Sequence, residues 1–214
     1  MQINHNNYVD FQLWETKVEN DAQHVEVALS ALLSKVEHQK LNTIGHENKR
    51  REYVYSRALI RHALSQIYDL PTKFWVIREV PNSSPMVENL PSSLKFSLSH
   101  SNKLITFATS LFPVGVDVEK IKHRANMQKL AKLFMTEKEY SGFESMQTKN
   151  RLSYFYQTWS EKEAYFKALD AETQQVFKYD EFDTLETGKN QKGWRFINKS
   201  DTEFSRVIAL NTPN

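Results

Sequence analysis

A chain of 214 residues with a formal charge of +2 suits one large domain or two small fused ones. Its 4 Trp, 9 Tyr and 13 Phe provide enough apolar mass for a core, and the near-neutral charge supplies no whole-molecule field for nucleic acid. The absence of cysteine removes disulfides, thiolate zinc sites and cysteine nucleophiles.

The N-terminal MQINHNNYVDFQLWE lacks a basic stretch followed by an apolar one, and no apolar run approaches the ~18–20 residues of a membrane span. A cytoplasmic, membrane-free protein is expected. Asp21 to Leu41 reads as a helix, with Val25, Leu29, Leu32 and Val36 on one stripe and Asp21 as its cap. His46 to Leu70 reads as a second helix, stopped by Pro71. Tyr53, Ile60, Leu64 and Ile67 form its inner face, and Lys49, Arg50, Arg51, Arg57 and Arg61 its basic outer one. Strand-like runs follow: FWVIRE, then, beyond the turn-rich PNSSPMVENLPSS, LKFSLSH and LITFATS. After Pro113 a strand, VGVDVE, leads to helices at about 126–134, 137–145 and 150–170, with weaker strand signals in GWRFINK and EFSRVIAL. Helices beside a few antiparallel strands predict an α+β fold. The order repeats loosely, which suggests two similar halves, residues 1–113 and 114–214.

The five glycines make neither GxGxxG nor GxxxxGK[ST], so no glycine-rich cradle for phosphate is available. A bound nucleotide would need arginine, lysine and a metal instead. Pro113–Lys120, PVGVDVEK, supplies the first candidate. Its period-two pattern puts Asp117 and Glu119 on one face, roughly 6–7 Å apart. Two carboxylates at that separation repel by about 0.6 kcal/mol in water and by about 2.5 kcal/mol at an effective dielectric of 20. Either the face is a solvated edge, or a divalent cation sits between them.

TWSEKEAYFKALD supplies the second. Glu163 and Lys167 are an i, i+4 pair, which on an exposed helix is an ordinary surface interaction. Trp159, Tyr165 and Phe166 flank them, however, and large aromatics rarely crowd a solvated face. Glu163 brought towards Asp117 and Glu119 would give three carboxylates, an oxygen-only set that suits Mg²⁺. Lys162 and Lys167 would then be free for a negatively charged substrate.

Together these residues resemble the 4′-phosphopantetheinyl transferases. GVDVEK is similar to that family's G-[IV]-D-[IV]-E-[KR] motif, WSEKEAYFK to its W-[ST]-x-K-E-A-x-x-K motif, LFMTEKEY to the link between them, and FSLSHS at Phe96–Ser101 to an upstream segment. Four motifs in the family's order form a specific signal. The length resembles the long, surfactin-synthetase-type branch, whose fold is an intramolecular pseudo-dimer and which acts as a monomer. The resemblance implies transfer of the 4′-phosphopantetheine arm of coenzyme A, the substrate, to a serine of an apo acyl, polyketide or peptidyl carrier protein, releasing adenosine 3′,5′-bisphosphate. It implies Asp117, Glu119 and Glu163 as Mg²⁺ ligands, with Glu163 or Glu119 as the base for the attacking serine. Lys162 and Lys167 would contact the phosphates, Lys167 nearest the leaving group. Ser99 and His100 would hold the 3′-phosphate end, and Arg51 and Arg57 would lie on the CoA-binding helix. Where the family has a Gly-Lys-Pro turn this chain reads Ser83-Ser84-Pro85, so a phosphate-gripping lysine is missing: either Lys73 or Lys95 substitutes, or CoA is held less tightly.

Lys120, Lys122, Arg124, Lys129 and Lys132 follow the acidic strand with no acid from Lys120 to Lys132. Met127, Leu130, Leu133 and Phe134 run beside them. This is either a solvated helix face or a surface that steers an acidic carrier protein. Two other classes fit the same residues: a Mg²⁺-dependent phosphodiester hydrolase, and a non-catalytic module for carrier domains or single-stranded nucleic acid. The near-neutral charge disfavours nucleic acid.

Overall fold

The computed structural model describes residues 1–19, 23–79, 85–91, 93–186 and 193–212. The chain opens with a hairpin, β1 (Ile3–Asn7) and β2 (Gln12–Lys17), followed by helices α1 (Gln23–Ser30), α2 (Lys35–Thr43) and α3 (Glu47–Tyr68). Two short strands, β3 (Ile77–Arg78) and β4 (Met86–Val87), pair with each other. Then come β5 (Lys95–Ser101), β6 (Leu104–Ser110) and β7 (Val114–Lys120). Helices α4 (Met127–Phe134), α5 (Glu137–Ser145), α6 (Thr148–Ala168) and α7 (Ala171–Val176) precede the closing hairpin, β8 (Trp194–Asn198) and β9 (Phe204–Asn211). The fold is α+β. One antiparallel sheet has the order β1-β2-β6-β5 and another β7-β9-β8.

The long helix α3 buries Tyr55, Leu59, Ile60 and Leu64 against Trp14, Ile105 and Phe107 of the first sheet. The single helix expected from Asp21 to Leu41 is two helices. Ser34 starts the second with a capping box: its hydroxyl accepts the Glu37 N–H and the Glu37 carboxylate accepts the Ser34 N–H. Such reciprocal caps nucleate a new helix start, and the change of phase leaves Val36 59% exposed while Leu33 and Leu41 pack inward. Asp21 lies outside the described residues, as do Ser83 and Ser84.

The basic outer face expected on α3 is also different. Arg57 and Arg61 are buried. Arg61 donates to both oxygens of buried Glu37, at 2.9 and 2.6 Å, and Arg57 bonds Glu79 at 2.6 and 3.0 Å. Burial of guanidinium groups requires such pairing, and here it ties α2 and the segment before β4 to α3. Of FWVIRE only Ile77–Arg78 forms a strand.

Two contacts fix the second sheet. Helix α6 lies across β7 and β9 at Gly115, where an added Cβ would fall 1.8 Å from the Ala164 carbonyl oxygen and 2.8 Å from the Ala168 nitrogen. Only glycine permits so close an approach. On the other side, β5 presents Ser97, Ser99 and Ser101 to β7. Their hydroxyls accept the backbone N–H of Val116, Val118 and Lys120 at 3.0, 3.2 and 3.1 Å. A ladder of side chains thus joins the two sheets.

Candidate active site

Asp117 is 3% exposed, which excludes the solvated-edge reading of its strand. Val114 and Val116 pack into the core with Phe11, Leu13, Ile208 and Leu210, while Gly115 faces α6. One Asp117 oxygen, Oδ1, accepts the Ser99 hydroxyl at 3.0 Å and the Lys167 ammonium at 2.7 Å. Glu119 accepts the Ser101 hydroxyl at 3.0 Å. Glu163, on α6, accepts the Tyr179 hydroxyl at 2.8 Å, and its second oxygen stands 3.8 Å from Lys167 Nζ. Each carboxylate therefore takes one hydroxyl, and Lys167 bridges strand and helix.

Burial pushes the Glu119 carboxyl above the ordinary carboxylate range, and the neighbouring Asp117 charge pushes it further. Burial raises Glu163 as well, against the opposing pull of Lys167 and Tyr179. Both feel the Asp117 charge, and carboxyls crowded in this way are the condition a divalent ion relieves. The other Asp117 oxygen, Oδ2, is buried with no hydrogen-bond partner among the described residues, so a lone pair there is available to a ligand. Three acids, an orphaned oxygen and oxygen-only donors fit Mg²⁺ in chemical type. Among the described residues no three His, Cys, Asp or Glu side chains stand together so as to hold a metal ion; Lys167 occupies the space between Asp117 and Glu163.

A cleft of about 630 Å³ opens beside this cluster, lined by Lys49, Ser56, Arg57, His100, Glu163 and Lys167 among others. Lys49, Tyr53 and Ser56 reach it from one face of α3, spaced as a helix requires. The His100 ring, 47% exposed, stands 3.7 Å from Glu52. Desolvation by the cleft walls holds its imidazole below the usual value, with Glu52 opposing and Lys49, Lys167 and Arg57 assisting. Arg57 reaches the cleft with its guanidinium engaged by Glu79. Arg51 turns to Glu26 and Glu47, beside a different depression.

Three sequence expectations meet other surroundings here. Lys162 is fully buried, 2.8 Å from buried Glu139, and donates to the carbonyls of Tyr179, at 2.6 Å, and Phe182. It faces the protein interior instead of a phosphate, because Glu139 and the two carbonyls take its ammonium. The Ser99 hydroxyl is committed to Val118, Asp117 and Lys167, at the carboxylate cluster. Lys73 and Lys95 are exposed and do not line the cleft. Sequence reading missed Lys49, Ser101 and Tyr179. The alternation of serines in FSLSHS was the available signal for Ser101; nothing local marks Tyr179.

A second cavity of about 380 Å³ adjoins Glu119. Leu130, Leu133, Phe134, Phe155 and Trp159 form its apolar wall, with Arg124 at its polar end. Leu133 is 74% exposed, and Lys122, Arg124, Lys129 and Lys132 around it are exposed too.

A family model described as the 4′-phosphopantetheinyl transferase superfamily matches residues 113–209, which include β7, α6 and all three acids. Among curated proteins, the 4′-phosphopantetheinyl transferase gsp of Aneurinibacillus migulanus is 31% identical over 72% of this chain and 63% of its own. This chain belongs to the 4′-phosphopantetheinyl transferase superfamily. Psf-1 of Bacillus pumilus is 33% identical over 55% of this chain and 49% of its own, and Sfp of Bacillus subtilis strain 168 is 26% identical over 64% and 60%. Within the superfamily these relatives put the chain in the Sfp-type branch. The matched segments span about half to under two thirds of the relatives' lengths.

Proposed function

We propose that this protein is a Mg²⁺-dependent 4′-phosphopantetheinyl transferase using coenzyme A as substrate and an apo carrier protein as acceptor. The observation that supports this most is the cluster of Asp117, Glu119, Glu163 and Lys167, of which Glu163 and Lys167 line a cleft that also carries Lys49 and His100. In this reading CoA occupies the cleft, with its 3′-phosphate at His100 and Lys49 and its pyrophosphate at Lys167. Asp117, Glu119 and Glu163 would hold Mg²⁺, which when bound supplies neutralisation of the pyrophosphate charge. Glu163, raised by burial, takes the proton of the carrier serine, with Glu119 as the other candidate. The serine oxygen bonds to the phosphorus bearing pantetheine, and the bridging P–O bond breaks to release adenosine 3′,5′-bisphosphate. Lys167 stabilises the departing charge. Residues 1–113 and 114–214 form the two halves of a monomeric, cytoplasmic pseudo-dimer, each presenting a long helix on an antiparallel sheet.

The exposed cations around the apolar cavity suit an acidic carrier protein. Charge reversal at Lys129 and Lys132 is expected to raise KM for the carrier several-fold while leaving KM for CoA within twofold. Steady-state kinetics with each substrate varied decides this, and equal effects on both would remove the carrier from this surface. The transfer itself is tested by intact-mass spectrometry of an apo carrier incubated with the protein, CoA and Mg²⁺. A phosphopantetheine-sized gain that EDTA abolishes is expected. Free phosphopantetheine with an unmodified carrier would instead favour the hydrolase reading, and no turnover of CoA with any of several carriers a binding module.

A further inference from the structure

Tyr179 lies outside every motif that marks this chain, yet the motif helix is built around it. Trp159, Lys162, Glu163 and Phe166 sit at i, i+3, i+4 and i+7 of α6, one continuous face, and all four meet this tyrosine. The Trp159 ring stacks on the Tyr179 ring at 5.7 Å and 14°. Phe166 packs on it at 5.8 Å, and Phe177 closes a further side, edge-on at 5.0 Å. Lys162 donates to the Tyr179 carbonyl at 2.6 Å. The hydroxyl, at the end of this braced ring, donates to Glu163 at 2.8 Å.

The bracing is itself anchored. Lys162 is neutralised by Glu139 at 2.8 Å with both side chains fully buried. Glu139 also accepts the backbone N–H and hydroxyl of Thr184, both at 2.8 Å. The buried ion pair therefore clamps the segment that follows α7 at two points on either side of Phe182. A buried charge pair retained at this cost calls for a structural reason, and fixing Tyr179 against Glu163 supplies one.

We infer that Tyr179 is a positioning residue, which holds the Glu163 carboxylate turned towards Asp117 for divalent-metal binding. A ring with two torsions, packed on three aromatic neighbours, loses little further freedom in making this bond. Partners behind a ligand carboxylate fix its orientation, and their loss typically weakens metal affinity about 10–100-fold. The inference rests on the carboxylate site proposed above, and its test separates the two. Mn²⁺ binding, read by the electron paramagnetic resonance signal of the free ion, is compared between the wild type and Tyr179→Phe. Melting temperature and Mg²⁺-dependent transfer kinetics are recorded alongside. Phe keeps the stacking, so the melting temperature is expected within about 2 °C of wild type. The Mn²⁺ dissociation constant is expected to rise about tenfold, kcat at limiting Mg²⁺ to fall in proportion and to recover at high Mg²⁺, and KM for CoA to stay within twofold. Wild-type Mn²⁺ affinity in the variant overturns the inference, as does a rate loss that metal does not restore. Wild-type protein that binds no Mn²⁺ overturns the carboxylate site and this inference together. Wild-type protein that binds Mn²⁺, weakened by the variant, yet modifies no carrier would overturn the activity and leave Tyr179 in its role.

Discussion

Replacing Glu163 by Gln is expected to slow phosphopantetheine transfer by about 10²–10⁴-fold without lowering the melting temperature. The two halves of that result have one cause. Burial holds the Glu163 carboxyl above its ordinary value despite Lys167 and Tyr179. A carboxyl whose folded value exceeds its unfolded one keeps its proton more tightly in the folded protein, so its ionisation weakens the fold as pH rises through that value. Glutamine removes the charge, keeps the shape and still accepts from the Tyr179 hydroxyl. Melting followed at pH 5 and at pH 8 should therefore show the variant equal to or above wild type, with any gain larger at pH 8. A clear drop in melting temperature at pH 8 would mean that Glu163 serves the fold through Lys167, and that its carboxylate is not held in reserve for chemistry.

Gly115→Ala should damage both fold and activity. The new Cβ would lie 1.8 Å from a backbone carbonyl of α6, and a helix backbone cannot rotate aside as a side chain can. The helix must lift from the strand, which opens the packing of Ala164 with Val207 and Ala209. Overpacking of this kind costs about 3 kcal/mol or more, a fall in melting temperature of about 6–12 °C for a chain of this size. The same displacement carries Glu163 and Lys167 away from Asp117, and a shift of about 1 Å at a reacting centre costs about 10²-fold in rate. Thermal unfolding, with transfer assayed well below the lowered midpoint, separates the two losses. A variant within 2 °C and twofold of wild type would show that the contact of α6 with β7 does not set the site.

Where periodicity and punctuation agree, the fold is legible from residues alone. Strand β7 and helix α3 lie where alternation and Pro71 put them, and helix α5 fills the expected 137–145. The break between α1 and α2 depends on Ser34 and Glu37 closing a box inside an otherwise helical pattern, and propensity alone runs through it. The hairpin of β1 and β2 escapes because β2 buries residues on both faces, Leu13 and Trp14 in succession, which erases the two-residue rhythm. In the site, Asp117, Glu119 and Glu163 stand out as charges in apolar company, and the structure brings Asp117 and Glu163 to a common lysine. What a charge faces is a different matter. Lys162 and Lys167 look alike in sequence, yet one helix face points into the protein and the other into the cleft. Arg57 likewise meets Glu79 across 22 residues, a pairing that no local pattern reports.

The serine ladder between β5 and β7 acts as a vernier. Ser97, Ser99 and Ser101 meet Val116, Val118 and Lys120 in the same order, so the strands run in the same direction with rungs about 6.6 Å apart. A slip of one residue would present Phe96, Leu98 and His100 where hydroxyls are needed and strand all three N–H groups; a slip of two would leave one rung empty. Only one alignment engages every hydroxyl, and in that alignment Ser99 and Ser101 also reach Asp117 and Glu119. Three small side chains thus measure out, to the length of a single residue, where the strand of Asp117 and Glu119 meets the strand of His100.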